Sequence, residues 1–338
     1  MQPTPSPVPP RPGSRHTRAG RRHAALTGLA ALLLLPLTGC GGQSTAADRS
    51  GHPAPAATVG ATASATGYPA AAADGRGALR ALERTYDAHL GVYAVDTGSG
   101  RELAWNADSR LSYNSTFKAL LAGVVLKKNG AAGMDRVLRY TRADLVANSP
   151  ITEKNLDALG KGRMSLRALC DATVRYSDNA AANVLLRDLG GPRALGAALR
   201  EATSDRVTST DRIEPELSTW VPGERRDTTT PRQLAVNLRA FTLGDVLGAK
   251  ERKLLTGWLL TNTTGDRTIR AGVPADWKVG DKTGTGSYHG ARDDIAVIWP
   301  PGRAPLVVTI MSYRQDKDAE PDDRLIAEAA AVVAEELG

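Results

Sequence analysis

Histidine is scarce in this sequence, and its scarcity excludes two common kinds of hydrolytic site. Of five histidines in 338 residues, His16, His23 and His52 lie in an N-terminal stretch whose composition does not favour folding. His89 and His289 remain, too few for a hydrolytic zinc site, and the same scarcity disfavours a Ser-His-Asp hydrolase. The chain also lacks a Gly-x-Ser-x-Gly elbow and a phosphate-cradling glycine-rich motif. We therefore expect no metal and no cofactor, and we expect both remaining histidines at surface or loop positions.

Cysteine and aromatic residues are also few. The two cysteines are Cys40 and Cys170, so lipidation of Cys40 would leave Cys170 without a partner for an intramolecular disulfide. We expect Cys170 to be a small buried apolar side chain. Because aromatic residues make up only 4% of the chain, aliphatic side chains must build most of the core.

The N-terminal segment predicts export. Its apolar run, Ala24 to Leu37, is too short to span a membrane and follows a cluster of arginines, which is typical of a secretory signal. The run ends in Leu37-Thr-Gly-Cys40, which resembles a bacterial lipobox, where the cysteine is lipidated and becomes the new N-terminus. An ordinary signal peptide cut slightly later is the alternative. Arg21-Arg22 also permits twin-arginine export, so that route and the Sec route both stay open.

The net charge of the chain does not indicate a nucleic-acid partner. The whole chain carries a net charge of +7, but five arginines and no acidic residue lie in residues 1–39. Without that segment, 38 basic residues face 36 acidic ones. The basic pI of the chain is therefore largely an effect of the targeting segment.

Composition divides the remainder into a tether and one folded domain. Residues 40–75 are mostly Ala, Ser, Thr, Gly and Pro, with too little apolar surface to fold. A flexible chain of this length reaches about 30–35 Å, enough to lift a domain clear of a membrane surface. We expect residues 1–39 to be the signal peptide, residues 40–75 the lipidated cysteine and tether, and residues 76–338 the catalytic domain.

Apolar periodicity places strands at both ends of this domain and helices between them. The predicted elements are a helix from about residue 78; strands 92–97 and 102–106; helices 116–127, 166–176, 180–188 and 231–241; strands 277–285, 294–299 and 306–313; and a helix 322–337. This order predicts an α/β (α+β) fold, in which an antiparallel five-stranded sheet is flanked by the N- and C-terminal helices and carries an inserted all-helical domain. The α/β lobe would comprise residues 76–113 and 262–338, the helical lobe residues 114–261, with the active site in the cleft between them.

Four short segments in this domain carry chemistry. They are, in chain order, Ser115-Thr-Phe-Lys118, Ser177-Asp-Asn179, Arg212-Ile-Glu-Pro-Glu-Leu217 and Lys282-Thr-Gly284. The first alone is weak evidence, because a Ser-x-x-Lys match occurs about once by chance in a chain of this length. All four in this order make coincidence a poor explanation.

Ser115 and Lys118 have the spacing of a nucleophile and its base. If Ser115 opens a helix, the two side chains lie on one face, within reach of each other. A lysine desolvated in a cleft has a lowered pKa and can help to remove the serine proton. The backbone N–H of Ser115, free at a helix N-terminus, can donate to a developing oxyanion.

The second and fourth segments supply a proton relay and anion-binding groups. Ser177 can pass a proton to a leaving nitrogen, and the Asn179 amide can bind a substrate amide. Lys282, with the hydroxyls of Thr283 and Thr285, can hold a substrate carboxylate, and the Thr285 N–H can complete an oxyanion hole. In isolation, each tripeptide is more often a helix cap or a strand end followed by a turn.

Together, from about residue 78 to the C-terminus, the segments resemble those of the class A serine β-lactamases. That family and the penicillin-binding proteins share the Ser-x-x-Lys, Ser-Asp-Asn and Lys-Thr-Gly set. The resemblance implies that Ser115, Lys118, Ser177 and Glu214 are catalytic and that Asn179, Lys282, Thr283, Gly284 and Thr285 bind substrate.

Glu214 distinguishes the two groups. It lies in a Gly-, Pro- and Asp-rich stretch with the length of an Ω-loop, whose ends Arg212 and Asp227 could pair and close it. The resemblance implies that Glu214 activates the deacylating water, while either Glu214 or Lys118 serves as the acylation base. The Glu214-Pro215 bond is a candidate for a cis peptide.

The sequence departs from the family pattern at two places. Many relatives have asparagine four residues after the glutamate to help hold the water, where this chain has Ser218, so deacylation could be slower or shifted in substrate preference. The segment from Ser287 to Asp294 is one residue longer than usual, which makes Arg292 the best candidate for the arginine behind the substrate carboxylate. Thr268, between Arg267 and Arg270, occupies the other place that some relatives use.

We expect an exported, lipid-anchored, monomeric β-lactam hydrolase whose substrates are β-lactam antibiotics. Asn148, Ser287 and Ser218 should set the preference among penicillins, cephalosporins and carbapenems. A D,D-peptidase uses the same serine, lysine and Lys-Thr-Gly parts but lacks an efficient deacylating glutamate. A non-catalytic envelope lipoprotein that binds β-lactams with slow or no turnover is the remaining alternative.

Overall fold

The structure is a computed structural model that describes residues 75–338. The predicted signal peptide, the lipidation site at Cys40 and nearly all of the predicted tether lie outside the described residues. Within the described part of the chain, no helix combines the length and apolar character needed to cross a bilayer.

Five antiparallel strands form the central sheet, in the order β2-β1-β9-β8-β7. Their bounds are β1 Ala88–Asp96, β2 Glu102–Trp105, β7 Lys278–Thr285, β8 Arg292–Trp299 and β9 Leu306–Arg314. The first and last strands of the domain are direct neighbours, since Val92 of β1 pairs with Ile310 of β9. The predicted sheet, closed by the two ends of the chain, is therefore confirmed.

Ten α-helices occur in the described residues. They are α1 Gly75–Tyr86, α2 Phe117–Gly133, α3 Pro150–Lys154, α4 Leu166–Arg175, α5 Asn179–Leu189, α6 Pro192–Thr203, α7 Pro231–Thr242, α8 Ala249–Leu260, α9 Ile269–Gly272 and α10 Asp323–Leu337. The predicted helices agree with these bounds to within a few residues, except that α2 continues past residue 127, across a break at Gly130 (φ 63°).

The described residues also contain short strands outside the central sheet that the sequence did not predict. Two-residue strands β3, Leu111–Ser112, and β6, Thr228–Thr229, pair with each other, and β4, Val137–Thr141, pairs with β5, Lys161–Ser165. These pairs are short and mostly polar, and each joins segments separated by long connections. Local periodicity carries little information about such pairings.

A separate hydrophobic core covers each face of the sheet. Alternate residues of β8 point to opposite sides, so Ile295 and Val297 join the core shared with the helical region, while Ala296 and Ile298 pack with α1 and α10. Both cores are mainly aliphatic, as the low aromatic content predicts. Cys170 is fully buried in the first core, and burial raises the pKa of its thiol, consistent with a packing role.

Candidate active site

The four motif segments converge on one cleft of about 360 Å³ between the sheet edge at β7 and the helical region. Its lining residues are Ser115, Ala147, Asn148, Ser177, Asn179, Glu214, Pro215, Ser218, Thr264, Thr283, Thr285, Gly286, Ser287 and Arg292. Asn148 and Ser287, expected at the cleft mouth, are among them. Every side chain of this set is polar or small, so hydrogen-bonding groups line much of this cleft.

Ser115 lies in a 3₁₀ turn, Asn114–Thr116, that leads into α2 at Phe117. The serine therefore lies at the N-terminal end of the helical segment, two residues before α2 begins. The turn is tied down by the Thr116 hydroxyl, which donates to the Tyr113 carbonyl at 2.5 Å. The expected neighbours are in place, because Lys118 Nζ donates to Ser115 Oγ at 2.8 Å and Ser115 Oγ donates to Glu214 Oε1 at 3.1 Å.

Lys118 is fully buried at the floor of the cleft. Its ammonium lies 2.9 Å from Glu214 Oε1, donates to the Ser177 carbonyl at 2.8 Å, and makes a short hydrogen bond to Asn179 Oδ1. Burial lowers the pKa of Lys118, while the Glu214 carboxylate opposes that shift. Burial therefore favours the neutral amine, which can accept a proton from Ser115.

Ser177 connects the two buried lysines. Its hydroxyl oxygen lies 3.3 Å from Lys118 Nζ and 3.1 Å from Lys282 Nζ, and its backbone has a positive φ of 55° that turns the side chain between α4 and α5. Burial, followed by the nearby charge of Lys118, lowers the pKa of Lys282 well below its usual range. These contacts form a continuous polar path along which a proton can move.

The middle residue of the Ser-Asp-Asn segment has a structural task. Asp178 is the N-cap of α5, with its carboxylate accepting from the Ala181 N–H, and it also accepts from the backbone of Ile151 and Thr152. This fully buried carboxylate therefore joins α3 to α5. The capping alternative considered for the segment holds for Asp178, while Ser177 and Asn179 face the cleft.

Glu214 is held by its backbone as well as by its side chain. Asn183 of α5 donates to the Glu214 carbonyl at 2.7 Å and accepts from the Glu214 N–H at 2.9 Å. The Glu214-Pro215 peptide bond is cis. As expected, the loop is closed by a salt bridge, in which Arg212 Nε lies 2.5 Å from Oδ2 of the fully buried Asp227.

The hydroxyl of Ser218 lies 3.4 Å from Glu214 Oε2, so it contacts the glutamate through a long hydrogen bond. Its carbonyl accepts from the Ser287 N–H at 2.7 Å, which joins the loop to the turn after β7. The short serine side chain leaves more room beside Glu214 than an asparagine would.

Arg292 is the first residue of β8, and its side chain reaches the cleft. Its guanidinium donates to the Thr285 hydroxyl at 2.8 Å and to the Gly284 carbonyl at 3.2 Å, and Asp323 holds its other side at 2.7 Å. Arg267 also pairs with Asp323, and Arg270 pairs with Asp266 and Asp281. Of these three arginines, only Arg292 lines the cleft.

The Lys-Thr-Gly segment occupies the end of β7. Thr283 shares a 2.6 Å hydrogen bond with Thr264, whose place in the cleft the sequence did not predict. Asn183 was also missed, although its spacing of four residues from Asn179 would place both on one face of a helix.

The two histidines of the domain lie away from the cleft. His89 is exposed on β1 and stacks on Tyr313 at 4.5 Å between ring centroids. His289 is in a loop, as expected, but it is buried, with Nδ1 3.1 Å from the Arg314 carbonyl. Its burial follows because the turn after β7 folds against the end of β9.

The fold and the site together define a serine acyl-transfer enzyme with a buried lysine and a loop carboxylate. Comparison with known proteins identifies its family. The β-lactamase enzyme family matches residues 76–337, and the chain belongs to this family. A β-lactamase of Amycolatopsis lactamdurans is 55% identical over 76% of this chain and 83% of its own length. One of Nocardia asteroides, β-lactamase AST-1, is 48% identical over 91% and 95%.

Solved structures of β-lactamases have a similar fold. The class A β-lactamase of Clostridium kluyveri has a TM-score of 0.74 at 43% identity, covering 77% of this chain and 97% of its own. The β-lactamase of Streptomyces albus G has a TM-score of 0.74 at 44% identity, covering 78% and 100%.

Proposed function

We propose that this protein is a class A serine β-lactamase that opens the β-lactam ring through an acyl-enzyme on Ser115 and releases the product by hydrolysis. The observation that carries this proposal is the contact of one hydroxyl, Ser115 Oγ, with both Lys118 Nζ at 2.8 Å and Glu214 Oε1 at 3.1 Å. Hydrolysis of β-lactam antibiotics confers resistance on the organism that makes the enzyme.

Acylation begins with removal of the Ser115 proton by the Lys118–Glu214 pair. The freed Oγ attacks the lactam carbonyl carbon, and the N–H groups of Ser115 and Thr285 hold the negative oxygen. When the carbon–nitrogen bond breaks, the Ser177 hydroxyl gives its proton to the ring nitrogen and is resupplied from a neighbouring lysine. The product of this half-reaction is a ring-opened ester on Ser115.

Deacylation uses Glu214 as the base. Its carboxylate takes a proton from a water, whose oxygen attacks the ester carbon, and Ser115 leaves with a returned proton. The side-chain contact with Ser218 and the backbone contacts with Asn183 hold the carboxylate in place. This step distinguishes a β-lactamase from a protein that only traps β-lactams.

The substrate carboxylate binds at the end of β7. The Thr283 and Thr285 side chains and the Arg292 guanidinium line one side of the cleft, and the buried Lys282 amine lies 3.1 Å from Ser177 Oγ, which also lines it. Asn179 binds the amide of the substrate side chain. A cationic, hydroxyl-rich pocket suits the carboxylate that β-lactams carry next to the ring nitrogen.

Export and lipid anchoring complete the proposal. The lipobox-like Leu37-Thr-Gly-Cys40 would give a lipoprotein with the catalytic domain on the outer side of the cytoplasmic membrane, tethered by residues 40–75. Cys40→Ala should move the protein from the membrane fraction to the soluble fraction and remove the mass of the lipid from the processed chain. Membrane association unchanged in that variant would contradict the lipid anchor.

Hydrolysis of a chromogenic cephalosporin tests the activity. We expect the wild-type protein to turn over many equivalents and Ser115→Ala to lose at least about 10³-fold in kcat/KM, because the nucleophile is removed. Thr309→Val, a change in a buried strand residue away from the cleft, is the matched control and should keep full activity. Stoichiometric binding without turnover by the wild type would indicate a penicillin-binding protein.

A further inference from the structure

A buried pair of polar side chains lies directly beneath the nucleophile. Asn114, the residue before Ser115, has a fully buried side chain and a positive φ of 42°. Its Nδ2 donates to Asp293 Oδ2 at 2.7 Å and to Ser112 Oγ at 3.2 Å. Neither Asn114 nor Asp293 lines the cleft, so neither has a part in the chemistry described above.

Asp293 is attached to the other side of the oxyanion hole. It pairs in register with Gly284 across β7 and β8, one residue before Thr285. The Asn114–Asp293 hydrogen bond therefore joins two segments that are 179 residues apart in sequence. One segment carries the Ser115 N–H, and the other pairs with the strand that carries the Thr285 N–H.

The two glycines that flank Thr285 make room for this pair. A Cβ at Gly284 would lie 3.0 Å from Asp293 Oδ2 and 3.1 Å from Asn114 Cβ. A Cβ at Gly286 would lie 3.3 Å from Asn114 Oδ1. The pair thus packs against the backbone on both sides of Thr285, where it can fix the distance between strand and nucleophile turn.

We propose that Asn114 and Asp293 are positioning residues that hold the Ser115 and Thr285 N–H groups at the separation an oxyanion requires. They act through the backbone and do not touch the substrate. This inference rests on the proposed function, because it assigns a task within the same acylation site. It also gives a physical reason for glycine in the third position of the Lys-Thr-Gly segment.

The charge state of Asp293 suits this task. Burial raises the pKa of its carboxyl to about 8, against the opposing effects of the Asn114 hydrogen bond and the Arg292 charge. Arg292 is the charged neighbour on β8, while the residues opposite on β7 and β9, Gly284 and Met311, do not titrate. At neutral pH the carboxyl is mostly protonated, so it anchors Asn114 without placing a full negative charge beside the developing oxyanion.

The test uses the full chain with Glu214→Ala, in which the acyl-enzyme should accumulate, and adds Asn114→Ala, Asp293→Ala or Asp293→Asn. Donors in an oxyanion hole polarise the ester carbonyl and lower its stretching frequency. We expect both alanine variants to raise the infrared frequency of that carbonyl and to slow acylation by about 10- to 100-fold, because small displacements of aligned groups are costly.

Asp293→Asn separates positioning from folding. Its amide oxygen can still accept from Asn114, so this variant should keep the parental carbonyl frequency and most of the acylation rate. Thr309→Val, which alters a buried threonine on β9, is the control and should change neither quantity.

Each of three outcomes would support or overturn the inference. A raised carbonyl frequency and slower acylation in the alanine variants, restored by asparagine at position 293, would support the inference. Parental frequency and rate in folded alanine variants would overturn it, even if their thermal stability falls. No turnover by the wild type together with no acyl adduct in the Glu214→Ala parent would overturn the proposed function and this inference with it.

Discussion

At the scale of the residue, the site depends on ionisable side chains placed out of water. Lys118, Lys282 and Asp293 are all buried. Burial lowers the pKa of both lysines and raises the pKa of the aspartate, which favours the neutral form of each side chain. Burial therefore makes both lysines better proton acceptors toward Ser115 and Ser177 than lysines exposed to water would be.

Asp293 makes the stability of the protein depend on pH. Its pKa is about 8 in the folded protein and about 4 when unfolded, so between these values the folded state holds a proton that the unfolded state has lost. The free energy of unfolding should then fall by up to about 1.4 kcal/mol per pH unit as the pH rises from 4 to 8. Urea titrations of wild type and Asp293→Asn should show this contribution only in the wild type. Equal slopes would contradict the raised pKa.

We expect Ser218 to influence the rate of the second half-reaction. Its 3.4 Å hydrogen bond to Glu214 restrains the carboxylate only weakly, and the short serine side chain leaves space for a longer one. We expect Ser218→Asn to raise the deacylation rate about 3- to 10-fold, the worth of one added hydrogen bond to the attacking water, with little change in acylation. Pre-steady-state kinetics separate the two rates, and Ser218→Ala should change deacylation in the opposite direction. An unchanged deacylation rate in both variants would show that Ser218 does not influence deacylation.

At the scale of the element, the loop that carries Glu214 is held at its ends. Asp227 receives the Arg212 guanidinium and also accepts from the Arg212 and Asp211 N–H groups and from the Tyr113 hydroxyl, at 3.0, 2.8 and 3.1 Å. Tyr113 lies in the turn before Ser115. One buried carboxylate therefore links the loop to the nucleophile segment.

Removing that carboxylate should loosen the loop. We expect Asp227→Ala to cost about 3–5 kcal/mol of stability, because it leaves the Arg212 charge and the Tyr113 hydroxyl without their buried partner. Deacylation should slow more than acylation, since Glu214 loses its fixed position. Asp188→Ala is the matched control, which breaks the partly exposed Arg136–Asp188 pair at 2.6 Å and should cost less than about 1 kcal/mol. Similar losses from both variants, measured by urea unfolding, would refute the special role of Asp227.

Elements with strong local patterns could be predicted from the sequence, and those formed by distant pairing could not. The five sheet strands and helices such as α4 and α7 follow apolar periodicity, and the motifs identify Ser115 and Glu214 directly. The Asn114–Asp293 contact carries no local signal, because it exists only once β8 is paired with β7. The β4–β5 pair was missed for the same reason.

At the scale of the whole molecule, the helical region and the sheet share one continuous core. Tyr93, Val307 and Met311 of the sheet belong to the same buried cluster as Leu120, in the helix that follows the nucleophile. Phe241 of α7 is fully buried in this cluster and packs on α2, where a Cβ at Gly123 would lie 2.7 Å from its ring. The helical region and the sheet, which form the two walls of the cleft, therefore belong to one packed unit.

Shared packing predicts cooperative unfolding. We expect Phe241→Ala to lower the free energy of unfolding by about 3–5 kcal/mol, with tryptophan fluorescence and far-ultraviolet circular dichroism reporting one coincident transition. Below that transition, kcat should stay close to wild type, since the ring lies away from the cleft. Two separate transitions would show that the lobes unfold independently.

The central claim, acylation of Ser115 followed by hydrolysis through Glu214, is tested most directly by intact mass spectrometry of wild type and Glu214→Ala during reaction with a cephalosporin. The account predicts that the wild type returns to its free mass after many turnovers, while the variant keeps one acyl group that peptide mapping locates on Ser115. A persistent adduct on both proteins, or no adduct and no turnover on either, would contradict it.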